Sequence, residues 1–143
     1  SADDRCQATF LGNFYPRNIW MSADASFRNA EAAFQSLKFW DQRELFKQLG
    51  GEDAFRLSRR LAMPDLTYAG CGSNWKAMLH VLQKKFEDPD LWRKLSATED
   101  AFLLEHNEVP GRDTTWSNNH NGSGKNWLGM QLMLVREQGK GPC

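Results

Sequence analysis

A carboxylate, an amide and an amine recur at helical spacing in the segment 27–39, as Glu31, Gln35 and Lys38. With the segment read as a helix at about 100° per residue, the three fall within about 60° of one another. Ala30, Ala33, Phe34 and Leu37 form the adjoining apolar arc. Such a row beside a packed face serves either acid–base chemistry or plain solvation. Glu105 and Asp113 are two further carboxylates, one closing an apolar run and one in a turn-rich stretch. Carboxylates set against apolar walls hold raised pKa values and act as acids or bases. Elsewhere they pair with cations or cap helices. Spacing does not choose between these uses, nor does it show that the three carboxylates converge.

The elements that carry these residues follow from periodicity and punctuation. Residues 8–20 read as a short strand entering a Gly/Asn/Pro turn. The helix with the polar row follows, with Asn29 or Ser26 as its N-cap. Charged helical segments are expected near 41–49 and 52–62, the second ended by Pro64. Ser73 caps the next helix, in which Trp75, Met78, Leu79, Leu82 and Phe86 form an apolar stripe closed by Asp88-Pro89. Its outer side carries Lys76, His80 and Lys84 four apart, a solvated basic face or a phosphate contact. A short helix over 90–96 and a buried strand over 101–105 come next. Residues 106–126 are polar and turn-rich, and a loop of that length in a compact domain is usually functional or disordered. Residues 127–138 read as a final helix, with Leu128, Gln131, Leu132 and Val135 at helical spacing. The expected fold class is α+β, mostly helical with a few short strands.

Composition narrows the function classes. A chain of 143 residues suffices for one domain whose core needs no staples. Hydrophobic residues at 41% and charged residues at 25% fit a soluble globular protein. The 18 basic and 18 acidic side chains cancel, so bulk charge gives no support to non-specific binding of nucleic acid or an anionic membrane. Only a local basic patch would serve that purpose. Six Trp and nine Phe either fill a core or line a cleft that stacks a flat ring. Cys6, Cys71 and Cys143 are widely spaced and form no CxxC, while His80, His106 and His120 miss zinc-ligand spacing. Neither a disulfide framework nor a bound metal is expected. With no apolar run near the roughly 18 residues of a membrane span and no signal-peptide pattern, a soluble intracellular protein, cytoplasmic or nuclear, is expected.

Several blocks, in order, resemble one family. Phe10-Leu11-Gly12-Asn13-Phe14-Tyr15-Pro16 is similar to the F-L-S-N-F-Y-P opening of the NADAR family. The stretch from Asn29 through Glu31, Ala33-Phe34-Gln35 and Lys38-Phe39 resembles its helix motif, x-x-E-x-A-F-Q-A-x-K-F. Trp75, Met78 and Lys85-Phe86 match its W-x-x-x-M…K-F block. Leu103-Leu104-Glu105, Asp113 with Trp116, and Gly124 to Gly129 match its final run, L-x-E…D-x-x-W…G-x-N-x-L-G, closed by 132–136. The resemblance covers about 8–137 and implies a single compact NADAR-like domain. The chain departs from the pattern at Gly12, at 69–75, and at Ser117-Asn118-Asn119, where the family has Gly-x-Gly. Those positions lie where substrate contacts are expected.

The resemblance implies an N-glycosidase that breaks a bond between ribose C1 and a base nitrogen, without metal or cofactor. Loss of the base leaves an oxocarbenium-like sugar, which a carboxylate stabilises. The family motif gives Glu31 that stabilising and water-activating role. Lys38 then either contacts a phosphate or attacks C1 of an opened ribose as a Schiff-base nucleophile. Trp116 or Phe14 would stack the departing base, and Asp113 would hold ribose hydroxyls or orient Trp116. Gln35, Asn13, Asn119 and Asn126 are polar positioning groups, with Glu105 behind them. Two substrates are implied: ADP-ribosyl-guanine in DNA or RNA, which is preferred, and early riboflavin-pathway intermediates. The preference rests mostly on fold-level analogy, with the Lys76/His80/Lys84 row and Arg56, Arg59 and Arg60 as receivers of a polyanion. The rival from another class is a module that binds ADP-ribose or a nucleotide without turnover. Oligomeric state is not legible.

Overall fold

Asn29 starts the element that carries the polar row. In the computed structural model, which describes residues 9–103, 115–116 and 125–139, its side-chain Oδ1 accepts from the Ala32 amide at 2.8 Å. The helix so capped, α1, spans Ala30–Ser36. Every residue of it except Glu31 is buried. Its three alanines let α1 run through the middle of its surroundings with backbones close on several sides. The expected helix over 27–39 is therefore shorter than its sequence pattern. Ser36 donates its hydroxyl back to the Ala33 carbonyl at 2.7 Å, a bond that weakens helical continuation. A 3-10 stretch, Leu37–Leu45, takes over. Phe39 leaves helical geometry there (φ −140°, ψ 50°), and its ring stacks on Phe46 at 6.1 Å. The segment expected to be helical at 41–49 is thus mostly this 3-10 stretch.

By Cα proximity the chain forms two compact units, residues 1–91 and 92–143. In the first, strand β1 (Ile19–Ser22) pairs antiparallel with β2 (Ala25–Phe27), with Ile19 opposite Phe27 and Trp20 opposite Ser26. Ile19 and Met21 face inward and Trp20 outward, the period-two pattern of a half-buried strand. The strand lies at the end of the 8–20 segment and beyond it. Thr9–Leu11, read as strand, is a 3-10 turn. Helix α2 spans Gly51–Arg60, with Glu52 and Asp53 in its first turn and Arg59 and Arg60 in its last, a placement that complements the helix dipole. Gly51 is fixed by close approach: a Cβ there would overlap the Phe14 ring.

Helix α3 (Asn74–Lys85) begins at Ser73, whose hydroxyl accepts from the Lys76 amide at 3.2 Å. Its buried face is Ala77, Met78, Val81, Leu82 and Lys85, so Trp75 and Leu79 lie at the flank of the stripe, not its centre. Helix α4 (Pro89–Ser96) starts with proline at its first position. Asp88 caps it, accepting from the amides of Asp90 and Leu91 at 2.9 and 3.2 Å. α1 packs against α2, α3 and both strands, and α3 against β1.

In the second unit, Ala101–Leu103 carries no strand, and Phe102 is 70% exposed, against the expectation of a buried strand. Leu103 alone of the three is buried, and its carbonyl accepts from Asn126 Nδ2 at 2.9 Å. Helix α5 (Trp127–Gln138) follows Asn126, which is left-handed at φ 53°. The first amides of α5, from Trp127 and Leu128, donate to the carbonyls of Thr115 and Trp116 at 3.0 and 3.1 Å. Backbone thus does the capping that the Asn126 side chain does not. At Gly129 a Cβ would meet the Leu103 carbonyl and the Asn126 amide. Buried Arg136 ties α5 to the Thr98 hydroxyl at 2.7 Å and the Ala101 carbonyl at 3.0 Å. The described chain is mostly helical with one two-stranded sheet.

Candidate active site

Helical spacing of four brings Glu31 and Gln35 together: Gln35 Nε2 donates to Glu31 Oε1 at 2.8 Å. Gln35 is 5% exposed and Glu31 is partly buried. With Nε2 turned to the carboxylate, Gln35 Oε1 is buried and accepts no hydrogen bond from the described residues. Lys38, in the 3-10 stretch beyond α1, is partly buried too. Burial pushes its amine pKa down, the Glu31 carboxylate acts against that, and Arg59 at the end of α2 adds to it. The expected row therefore exists, with Glu31 and Gln35 in direct contact and Lys38 within electrostatic reach.

The Gly12–Asn13 turn closes one end of this row. The Glu31 amide donates to the Asn13 carbonyl at 3.0 Å. Lys85, only 2% exposed, sends its Nζ to the Gly12 carbonyl at 2.9 Å. Asn13 Nδ2 faces Met78 Sδ at 3.6 Å, and Asn13 Oδ1 is a second buried acceptor with no partner among the described residues. Phe14 follows, half exposed, with its ring over Gly51. Lys85 belongs to a quoted motif, yet sequence reasoning gave it no role. The signal available was a lysine one position before Phe86, at the edge of an apolar helix face.

The cationic groups are more committed than their spacing suggested. Arg56 pairs with Glu52 at 3.4 Å and Lys84 with Glu87 at 3.6 Å. Burial, then Lys84, lowers the His80 pKa, so His80 is held neutral and adds no charge to its row. Arg59 lies over the Phe55 ring at 5.4 Å. Lys76, Arg56, Arg59 and Arg60 are the exposed cations of the two clusters, Arg56 being the one engaged with a carboxylate.

Two expected site residues lie in the second unit. The Trp116 ring meets Trp127 edge-on at 5.4 Å and 86°, and Asn126 is buried on the Leu103 carbonyl. Glu105, Asp113 and Asn119 lie outside the described residues. Among the described residues no group of three or more His, Cys, Asp or Glu is placed to hold a metal ion, and no helix is long and apolar enough to cross a membrane.

No family model matches the chain. Individual proteins do. N-glycosidase YbiA of Shigella flexneri is 33% identical over 137 residues, covering 90% of this chain and 79% of that protein. N-glycosidase YbiA of Escherichia coli is 34% identical over 118 residues, covering 76% and 68%. The riboflavin biosynthesis protein VVA0006 of Vibrio vulnificus is 35% identical over 133 residues, 90% of this chain but 35% of that protein. The chain thus spans about a third of the length of that Vibrio relative. The NMR structure of Escherichia coli YbiA superposes with a TM-score of 0.73 at 30% identity, covering 92% of this chain and 77% of that one. The ordered motifs, the Asn29-capped helix with its Glu31–Gln35 pair and these relatives agree: the chain belongs to the YbiA-like NADAR family of N-glycosidases, hydrolases acting on N-glycosyl bonds.

Proposed function

We propose that the protein removes ADP-ribose from guanine bases of nucleic acid by hydrolysing the bond between ribose C1 and the base nitrogen. The observation that carries this reading is the partly buried Glu31 carboxylate, held by the Gln35 amide and seated on the Asn13 turn. As the C1–N bond breaks, its electron pair leaves with the base and positive charge develops on the sugar. Glu31 stands ready to stabilise that charge. It also takes a proton from the water that attacks C1, and that proton passes on, through solvent, to the departing nitrogen. Gln35 fixes the carboxylate, and its spare Oε1, like Asn13 Oδ1, suits a ribose hydroxyl donor. Lys38 holds phosphate, with Arg59 beside it and Arg60 extending the cationic edge toward a polynucleotide. In this reading an aromatic side chain stacks the departing base.

A second reading, hydrolysis of early riboflavin-pathway intermediates, is favoured by one observation: a riboflavin biosynthesis protein matches along 90% of this chain. Both substrates are ribosylated bases carrying phosphate, so the same row serves either. Side-by-side assays of base release decide. Wild-type protein is expected to free guanine from an ADP-ribosylated oligonucleotide faster than it frees the base of the riboflavin intermediate. Glu31→Gln keeps the shape and the Gln35 contact but removes the charge. It is expected to slow release by about 10²–10³-fold, the usual cost of one electrostatic stabiliser. Equal rates for the two proteins would remove Glu31 from the mechanism. Binding of ADP-ribose with no release from either substrate would make the protein a binding module.

A further inference from the structure

The loop between α2 and α3 is a stretch where the chain departs from the family pattern, and the mechanism above makes no use of it. It is built tightly. The Asp65 carboxylate accepts from the Thr67 amide at 2.8 Å, the Thr67 hydroxyl at 2.7 Å and the Ala69 amide at 3.1 Å. The amides of Tyr68, Cys71 and Gly72 bond back to the carbonyls of Asp65, Tyr68 and Thr67. Tyr68 and Ala69 are both left-handed, at φ 55° and 56°, a conformation rare for residues with a Cβ and kept only where surrounding bonds enforce it. The loop is also fastened to the row, since the Asp65 amide donates to the carbonyl of Lys38 at 2.8 Å.

This backbone delivers the Tyr68 ring to Phe34, with centroids 5.3 Å apart and planes 30° from parallel. Phe34 stands three residues after Glu31 on α1, so it adjoins Glu31 on the helix surface, and the loop bonded to the Lys38 carbonyl reaches it from beyond the helix end. Phe34 itself is 5% exposed, whereas Tyr68 is only partly buried. Tyr68 is therefore the solvent-reaching half of an aromatic pair at the edge of the polar row. Burial raises its phenol pKa, so the ring stays uncharged at neutral pH. Phe14, by contrast, has its ring engaged over Gly51.

We propose that Tyr68, backed by Phe34 and held by the Asp65 turn, is the wall on which the nucleobase of the substrate stacks. It is a specificity residue for the N-glycosidase reaction, and the proposal rests on the N-glycosidase reading above. A π-face at that point favours flat, extended bases and leaves the ribose C1 on the Glu31 side.

The test combines turnover with binding of guanosine 5′-monophosphate, followed by tryptophan fluorescence, in wild type, Tyr68→Phe, Tyr68→Leu and Tyr68→Ala. Tyr68→Phe keeps the ring and is expected to stay within about twofold of wild type in Kd and KM. Tyr68→Leu fills the place beside Phe34 without a π-face. It is expected to raise Kd and KM at least about fivefold, the smaller end of what one lost base stack costs, while kcat changes less than about threefold. Tyr68→Ala follows Tyr68→Leu if it folds, and Tyr68→Leu decides alone if it does not. A folded Tyr68→Leu with unchanged Kd and KM overturns the proposal, as does failure of wild type to bind the nucleotide. If wild type binds the nucleotide through Tyr68 yet releases no base from any substrate, the N-glycosidase reading fails and the stacking wall stands.

Discussion

Lys38 shows how far a single residue's role follows from its surroundings. Burial depresses its amine pKa, and the nearby Arg59 guanidinium adds to the effect against the opposing Glu31. A cation held among these groups is poised to accept an anion, and a phosphate would restore its charge. Lys38→Arg is then expected to retain turnover within about tenfold, while Lys38→Met raises KM by tenfold or more, as loss of a charge-assisted hydrogen bond does. KM should climb as pH rises through the depressed amine pKa, because the amine must be charged to hold phosphate. A Schiff-base nucleophile reverses the sign: kcat rises with pH, Lys38→Arg is inactive, and borohydride traps an adduct. Glu31 and Gln35 were legible as a pair because spacing of four guarantees contact inside an α-helix. Lys38 was less so. The helix stops at Ser36, and neither the Ser36 back-bond nor the Phe39–Phe46 stack that ends it is visible in periodicity.

At the scale of elements, the caps were the readable part. Asn29 and Ser73 are legible as helix starts, because each side chain accepts from amides that the helix leaves over, whereas Asp88-Pro89 reads as the close of α3 and proves also to start α4. Strands were harder to read. An apolar run says nothing about whether a partner strand lies alongside it, so 9–11 turned out to be a 3-10 turn and 101–103 a segment without regular structure. Lys85 joins two elements that the sequence showed only separately, α3 and the Gly12–Asn13 turn under Glu31. Replacing it with Met keeps the length but removes the charged donor of the Gly12 carbonyl, leaving it only the Tyr15 amide at 3.3 Å. Lys85→Met is expected to lose about 1–3 kcal/mol in urea unfolding and to lower kcat/KM as the turn loosens. Stability and kcat/KM both unchanged would show that the turn holds itself.

For the molecule as a whole, zero net charge leaves individual ion pairs to set its response to pH. Arg17 bridges Asp88 at 2.8 Å and Asp90 at 3.3 Å, joining the chain before β1 to the start of α4. Burial alone would raise the Asp88 pKa, but Arg17 and the amides of Leu91 and Asp90 together lower it below its ordinary 3.8. Its contribution is therefore full above that value and is lost as pH falls through the lowered one. Arg17→Met is expected to cost about 0.5–1 kcal/mol at neutral pH and to flatten the acid limb of stability, read from urea midpoints between pH 2 and 6. A limb as steep as that of wild type would assign acid sensitivity elsewhere. Fold class and family were within reach of the sequence, since both rest on ordered local patterns. Convergence of the site was only partly so: Glu31, Gln35, Lys38 and Asn13 meet in the first unit, whereas Glu105, Asp113 and Asn119 lie outside the described residues.

Gly51 and Gly129 carry a consequence for how this sequence can drift. Neither has a functional group, yet one extra methyl at 51 must displace the Phe14 ring, and at 129 it must displace the Leu103 carbonyl. In a saturation scan of variants, both positions should therefore read as intolerant as the chemical residues themselves. Intolerance at these two would mark contact geometry, and only a substitution that spares folding, such as Glu31→Gln, separates it from catalysis.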